Sequence, residues 1–133
     1  MPRMKRFAMT ILYYLGLPAL FRFWHRNALT IVLYHGVAPK LTQGIYNYRG
    51  KFISPKSFEA QLQYFLKHYE VLSLERALTF MHEGTLPKNA LVITFDDGYR
   101  NFLEYAYPLL TKYNMPSTMY VLQILYCALS LFG

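Results

Sequence analysis

Two adjacent carboxylates, Asp96 and Asp97, are the residues of this sequence best suited to chemistry. They follow the apolar run 90–95 and precede Gly98. Neighbouring carboxylates repel each other, and a divalent cation offsets that repulsion. On a regular strand their side chains would face opposite ways, so they can share one site only where the strand breaks into a loop, which Gly98 permits. The pattern indicates one carboxylate on a metal and the other on a water or a positive partner. The alternative is that one of them caps a helix beginning near Asn101.

The sequence around this pair alternates predicted strands and helices. Short apolar, β-branched runs predict strands over residues 29–33, 70–74, 90–95 and 116–121. Helical spacing and capping residues predict helices that begin at Ser54-Pro55, run over 73–84, and run over 101–113 with a kink at Pro108. This alternation predicts an α/β fold in which crossover helices join parallel strands, either as a layer or as part of a barrel. The carboxyl ends of such strands are where sites form, and Asp96 stands at one of them.

Composition limits the class of protein. The chain has 133 residues, of which 54% are hydrophobic and 18% aromatic, so it is too apolar to be disordered. The length suits one domain with a moderate core. The single cysteine excludes an internal disulfide framework and any paired-cysteine zinc or redox site.

The charge is concentrated in the N-terminal part. The net charge is +7, and residues 1–58 hold nine Lys and Arg but no Asp or Glu. Residues 1–27 combine this charge with an uncharged run, 7–21, that is short for a membrane span. We expect a segment that associates with an anionic membrane surface, with Trp24 at headgroup depth, or else an amphipathic helix packed on the domain. No nucleic-acid partner is predicted, because no known nucleic-acid motif accompanies the charge. The predicted location is the cell envelope or a membrane.

Four motifs occur in a fixed order over residues 28–121. They are Tyr-His-Gly-Val at 34–37, Ile-Thr-Phe-Asp-Asp-Gly-Tyr at 93–99, Ala-Tyr-Pro-Leu-Leu at 106–110 and Pro-Ser-Thr-Met-Tyr-Val at 116–121. In this order they resemble the N-terminal half of the polysaccharide deacetylase domain, a carbohydrate esterase family also called the NodB-homology group. The Thr-Phe-Asp-Asp-Gly element is the most specific part of the resemblance.

The resemblance implies a fold, an activity and roles for residues. It implies a distorted (β/α) barrel, of which this chain would hold the first four strands only. It implies a metal-dependent hydrolase that cleaves the C–N bond of N-acetylated sugars in a polysaccharide or oligosaccharide. Asp96 would be the general base, and Asp97 would bind a divalent metal, usually zinc.

The chain also departs from that family. The family completes its metal site with a later His-x-x-x-His motif, whereas the histidines here are 25, 35, 68 and 82, and no two are four apart. We therefore expect a truncated domain with an incomplete metal site and little turnover, followed by an apolar tail of unclear origin at 122–133. The alternative is a non-catalytic, membrane-associated remnant.

Two further residues are candidates for substrate binding. His35, at a predicted strand end, either lines the sugar pocket or is a hydrogen-bonded turn histidine. Arg100 either contacts substrate, pairs with Asp96, or is a surface arginine.

Overall fold

The computed structural model describes residues 16–39, 51–96, 98 and 100–120. Asp97 and the predicted tail at 122–133 lie outside the described residues. The helices are α1 (Leu17–Trp24), α2 (Pro55–His68), α3 (Leu74–Glu83) and α4 (Tyr107–Lys112), and a π-helical segment, Phe102–Ala106, directly precedes α4. The strands are β1 (Thr30–Tyr34), β2 (Gly36–Val37), β3 (Phe52–Ile53), β4 (Glu70–Val71), β5 (Ala90–Phe95) and β6 (Thr118–Met119).

Strand β5 is the centre of a parallel sheet. Along one edge it pairs with the whole of β1, with Thr30 opposite Leu91 and Tyr34 opposite Phe95. Along its other edge it pairs with β4 near its start and with β6 at its end, where Met119 lies opposite Phe95. The remaining strands, β2 and β3, pair in parallel as a separate two-stranded sheet. All these pairings are parallel, as the alternation of strands and helices predicts.

The sheet is a layer with helices on both faces. All six residues of β5 are buried. Leu91, Ile93 and Phe95 face one apolar cluster, which α2 and α4 complete with Leu62, Phe65 and Leu110. Ala90 and Val92 face a second, smaller cluster with Ala77 of α3. A strand covered on both faces has no polar alternation, and this is why the sequence of β5 is continuously apolar.

The predicted helix caps are confirmed. Ser54 accepts a hydrogen bond from the Ser57 N–H at 3.1 Å, and Ser73 accepts one from the Arg76 N–H at 3.3 Å. Helix α3 ends at Gly84, which has a φ of 68°, a left-handed value that glycine adopts without strain.

The predicted kink at Pro108 takes the form of a widened turn. The Tyr107 N–H bonds to the Phe102 carbonyl, five residues back. Proline has no N–H to donate, and its ring collides with the carbonyl four residues earlier in a regular α-helix. The π-helical segment opens the helix at this point, so the predicted helix is divided in two.

The α/β class with a parallel sheet is confirmed. The four predicted strands correspond to β1, β4, β5 and β6, which form one four-stranded sheet, and over residues 16–39, 51–96, 98 and 100–120 the structure adds two short strands. The extra ones, β2 and β3, are two residues long and have no period that a pattern could reveal. The second and fourth predicted strands are also shorter, since only Glu70–Val71 and Thr118–Met119 pair. Closure into a barrel stays a prediction.

Candidate functional site at the carboxyl edge of the sheet

Three strand ends meet at one level of the sheet. Tyr34, Phe95 and Met119 lie side by side in register. The Asp96 N–H bonds to the Tyr34 carbonyl at 2.9 Å, and the Tyr120 N–H bonds to the Phe95 carbonyl at 2.8 Å. Neighbouring strands are about 4.8 Å apart. The residues that follow the three strands, His35, Asp96 and Tyr120, therefore form a short row along the carboxyl edge.

Asp96 is half-buried at the centre of this row. Within the part of the chain that the structure describes, its carboxylate has no hydrogen-bond or ion-pair partner. Asp96 therefore caps no helix among the described residues, whereas capping by Asp97 stays a prediction. The strand ends at Phe95, and Gly98 has a φ of 59°, so the expected break into a loop is confirmed. Asp97, the predicted metal ligand, lies outside the described residues.

The two residues before Asp96, Thr94 and Phe95, are buried and held in place by contacts with other elements. The Thr94 side chain is 1% exposed, and its hydroxyl donates a hydrogen bond to the Val32 carbonyl of β1 at 3.1 Å. Phe95 is 1% exposed and packs against Phe102 at 4.7 Å and Tyr34 at 5.4 Å between ring centroids. The motif thus places a hydrogen-bonded threonine and a closely packed phenylalanine immediately before its first aspartate. Sequence reasoning did not assign these roles, since both depend on partners distant in sequence.

Tyr34, which packs against Phe95, is itself hydrogen-bonded to α2. Its hydroxyl donates a hydrogen bond to Gln61 Oε1 at 2.5 Å. Burial raises the pKa of the Tyr34 phenol far above its usual value near 10. The phenol therefore stays neutral and acts as a fixed donor rather than as an acid or base.

His35 and Gly36 connect β1 to β2 beside Asp96. The His35 side chain is half-buried, and no described residue hydrogen-bonds to it, so the turn-histidine alternative has no support within the described ranges. Gly36 is buried, and a Cβ there would lie 2.8 Å from the Asn101 amide. A side chain at position 36 would therefore have to displace the Asn101 amide. Asn101 Oδ1 is buried without a partner among the described residues. Its closeness to the site could not be read from the sequence.

Arg100 points away from this row into solvent. Its side chain is 90% exposed and forms an ion pair with Glu104 at 2.9 Å, one helical turn later. Glu104 is therefore its partner, in place of the Asp96 pairing considered from the sequence. A role for Arg100 in substrate binding stays a prediction.

The described residues do not fit a complete metal site. No group of three His, Cys, Asp or Glu side chains able to hold an ion occurs over residues 16–39, 51–96, 98 and 100–120. A catalytic zinc usually has three protein ligands. Asp96 and His35 are the only metal-ligating residue types placed in the described row, and they do not reach that number.

An open groove of about 670 Å³ lies elsewhere, between the residues that follow β4 and those that precede β6, with α3 and α4 beside it. Its lining includes Ser73, Arg76, Thr111 and Asn114 but neither Asp96 nor His35. The candidate site is therefore the row of strand ends and not this groove.

Comparisons with known proteins agree with the motif order. Residues 83–126 match the family model described as polysaccharide deacetylase. A poly-beta-1,6-N-acetyl-D-glucosamine N-deacetylase of Staphylococcus aureus is 34% identical over 71 residues, which are 53% of this chain and 24% of that protein. The enzyme of the same name from Staphylococcus epidermidis is 25% identical over 108 residues, which are 74% of this chain and 37% of that protein.

A solved structure agrees in fold. The Streptococcus pyogenes deacetylase PplD, determined in complex with acetate, superimposes with a TM-score of 0.60 and 29% identity, covering 70% of this chain and 42% of that one. In each of these comparisons the chain spans less than half of the longer protein.

Proposed function

We propose that this chain, which resembles the N-terminal half of polysaccharide deacetylases, acts as a carbohydrate deacetylase on N-acetylated sugar polymers. The observation that carries the proposal is the position of Asp96. Its carboxylate stands at the carboxyl end of the central strand, half-buried, with no described side chain neutralising it. A carboxylate in this position can accept a proton from a water molecule.

The chemistry follows from that role. Asp96 takes a proton from a water while the water oxygen attacks the acetyl carbonyl carbon. The C–N bond of the resulting tetrahedral intermediate then breaks, the sugar nitrogen gains a proton, and acetate and a free amine leave. No covalent intermediate with the protein forms. Thr94 and Phe95, the two residues before Asp96, are held by a hydrogen bond and by ring packing. They limit the movement of the base relative to the attacking water, as general base catalysis requires.

The proposal includes a divalent metal, with zinc favoured by the resemblance, which Asp97 would bind. Outside the described residues the chain has no other Asp, Glu or His and one Cys, Cys127, so the site is incomplete and we expect the low turnover that the sequence predicts. It also includes sugar contacts from His35, which is next to Asp96 in the row, and from Arg100. The substrates named for the staphylococcal relatives make acetylated β-1,6-linked glucosamine the first polymer to test.

The test is acetate release from acetylated glucosamine oligomers by the full chain, with zinc supplied or removed by a chelator. Asp96→Asn keeps the size of the side chain and removes the base, and we expect a loss of about 10²–10⁴-fold in rate. The control is Glu70→Gln, which removes an exposed carboxylate at the opposite end of the same sheet. Equal rates for the chain and for Asp96→Asn would refute the role of Asp96. Absence of acetate release with zinc present would refute the enzymatic function of this chain.

A further inference from the structure

Helix α1 exposes its apolar side. Leu17, Leu20, Phe21 and Trp24 fall within about 100° of one another around the helix axis. These four side chains are between 46% and 76% exposed, and no residue of α1 is buried. An amphipathic helix of a globular domain normally turns this side to the core. Here the half-buried side chains are Pro18 and Arg22, on the opposite side.

Contacts with the domain fix this inverted orientation. The Arg22 guanidinium donates a hydrogen bond to the Tyr64 hydroxyl of α2 and lies 5.6 Å from the centre of the Tyr64 ring. Burial, and after it the Arg22 charge, lower the pKa of His68 on the same helix. The turn after α1 is tied down as well, since the Asn89 N–H bonds to the Arg26 carbonyl at 2.7 Å. The side of α1 that carries Pro18 and Arg22 is therefore held against the domain.

The sequence around α1 is basic, since residues 1–58 contain nine Lys and Arg and no Asp or Glu. Among the described residues, Arg26 in the turn after α1 lies 4.6 Å from the centre of the exposed Phe23 ring. Aromatic and leucine side chains beside arginines suit the boundary between lipid headgroups and acyl chains, where the rings enter the apolar layer and the guanidinium groups meet phosphates. Among the described residues, no helix is long and apolar enough to cross a bilayer.

We propose that the apolar face of α1, formed by Leu17, Leu20, Phe21 and Trp24, docks on the surface of an anionic phospholipid bilayer. The helix lies in the plane of the interface, and the sheet stays on the aqueous side. This inference is independent of the deacetylase proposal, because it uses neither Asp96 nor any other residue of the strand-end row.

The chain contains its own probe for this surface. Trp24 is the only tryptophan and is 76% exposed, so tryptophan emission reports on α1 alone. We expect a blue shift of that emission when the full chain meets vesicles of phosphatidylglycerol and phosphatidylcholine, and quenching when the acyl chains are brominated. Pure phosphatidylcholine vesicles should give much weaker binding, and added salt should weaken binding to the anionic vesicles.

Matched variants test whether binding depends on this face or on exposed apolar side chains in general. Leu20→Ser with Phe21→Ser changes side chains that are 53% and 63% exposed, and we expect at least a ~10-fold loss of partitioning to anionic vesicles. The control is Leu66→Ser with Leu78→Ser, which changes side chains that are 60% and 55% exposed on α2 and α3. The control should bind like the unmodified chain. Circular dichroism melting curves for all three proteins check that they are folded.

Three results would overturn the proposal. The first is equal loss of binding in both double variants. The second is blue-shifted Trp24 emission without vesicles, since another part of this chain would then cover the face, or a second copy if the shift disappears on dilution. The third is equal binding to phosphatidylcholine and to anionic vesicles, because the basic residues would then have no role.

Discussion

The close approach of Gly36 to Asn101 gives a sharp prediction about how the site is assembled. A Cβ at position 36 would lie 2.8 Å from both terminal atoms of the Asn101 amide and 3.0 Å from the Phe52 ring. Ordinary contacts begin near 3.4 Å, so Gly36→Ala must displace the Asn101 amide, which is the far end of a flexible side chain, and the Phe52 ring must give by a few tenths of an ångström. Overpacking costs about 1–3 kcal/mol, and a movable amide places this substitution near the low end of that range. Restriction of the unfolded chain by alanine offsets about 0.4–1 kcal/mol of that, since the φ of Gly36 is not positive. We expect a net loss of about 0.5–1 kcal/mol in the free energy of unfolding.

The second step of this prediction is a double-mutant cycle. Asn101→Ala removes the amide that the new methyl group would meet. In that background only the 3.0 Å contact with Phe52 remains, so Gly36→Ala should cost less than in the unmodified chain, and the two substitutions should couple by about 0.5–1 kcal/mol. Urea unfolding of the four proteins measures this coupling.

A control glycine excludes a general effect of alanine. Gly84 has a φ of 68°, and a Cβ there would meet nothing within 4 Å. Gly84→Ala should cost about 1 kcal/mol through backbone strain alone, and by the same amount with or without Asn101→Ala. The reasoning fails if Gly36→Ala costs nothing, or if its cost is the same in both Asn101 backgrounds.

Three other predictions concern the supports of the sheet. Thr94→Val removes the hydrogen bond to the Val32 carbonyl without changing shape, and should lower the free energy of unfolding by about 1 kcal/mol in urea titrations. Leu62→Ala empties a fully buried position under β5 and should cost about 2–5 kcal/mol by the same measurement. Hydrogen bonding to Lys112 lowers the pKa of Glu59 below its usual 4.5, so its stabilising effect is present above pH 4.5 and is lost as pH falls through the lowered value. Glu59→Gln should therefore flatten the fall of melting temperature in acid.

Each of these predictions has a result that contradicts it. Thr94→Ser keeps the hydroxyl but empties the space of a buried methyl group, so it measures the packing contribution, and an unchanged free energy of unfolding in Thr94→Val would exclude a stabilising hydrogen bond. Leu66→Ala, on the exposed side of α2, should change stability by less than about 0.5 kcal/mol, and an effect as large as that of Leu62→Ala would contradict the assigned packing. For Glu59, an unchanged acid slope in Glu59→Gln would show that other carboxylates control it. The pair is solvent-exposed, so the effect should also shrink in high salt.

Local sequence predicted much of the framework. The apolar run of β5, the serine caps at Ser54 and Ser73, and the stop at Gly84 each follow from a few adjacent residues. The same is true of the position of Asp96, because a buried parallel strand followed by a glycine turn leaves its next residue at the carboxyl edge. The motif order was also sufficient to indicate the polysaccharide deacetylases, and residues 83–126 match that family.

Other features required partners distant along the chain. The Thr94 hydroxyl has a hydrogen-bond acceptor only because β1 lies beside β5, and Arg100 pairs with Glu104 rather than with Asp96, although both are four residues away. Strands β2 and β3 are too short for a periodic pattern, and they form because tertiary packing brings together residues 16 positions apart, such as Gly36 and Phe52.

The sequence by itself determined helices α2 and α3, the four strands of the main sheet and the place of Asp96 after β5, because these depend on local periodicity, caps and glycines. Only the tertiary structure decided that His35, Asp96 and Tyr120 share one edge, that Gly36 must leave room for Asn101, and that α1 turns its apolar side outward. The physical reason is that strand register and helix orientation are set by packing between distant segments, which no single stretch of sequence encodes.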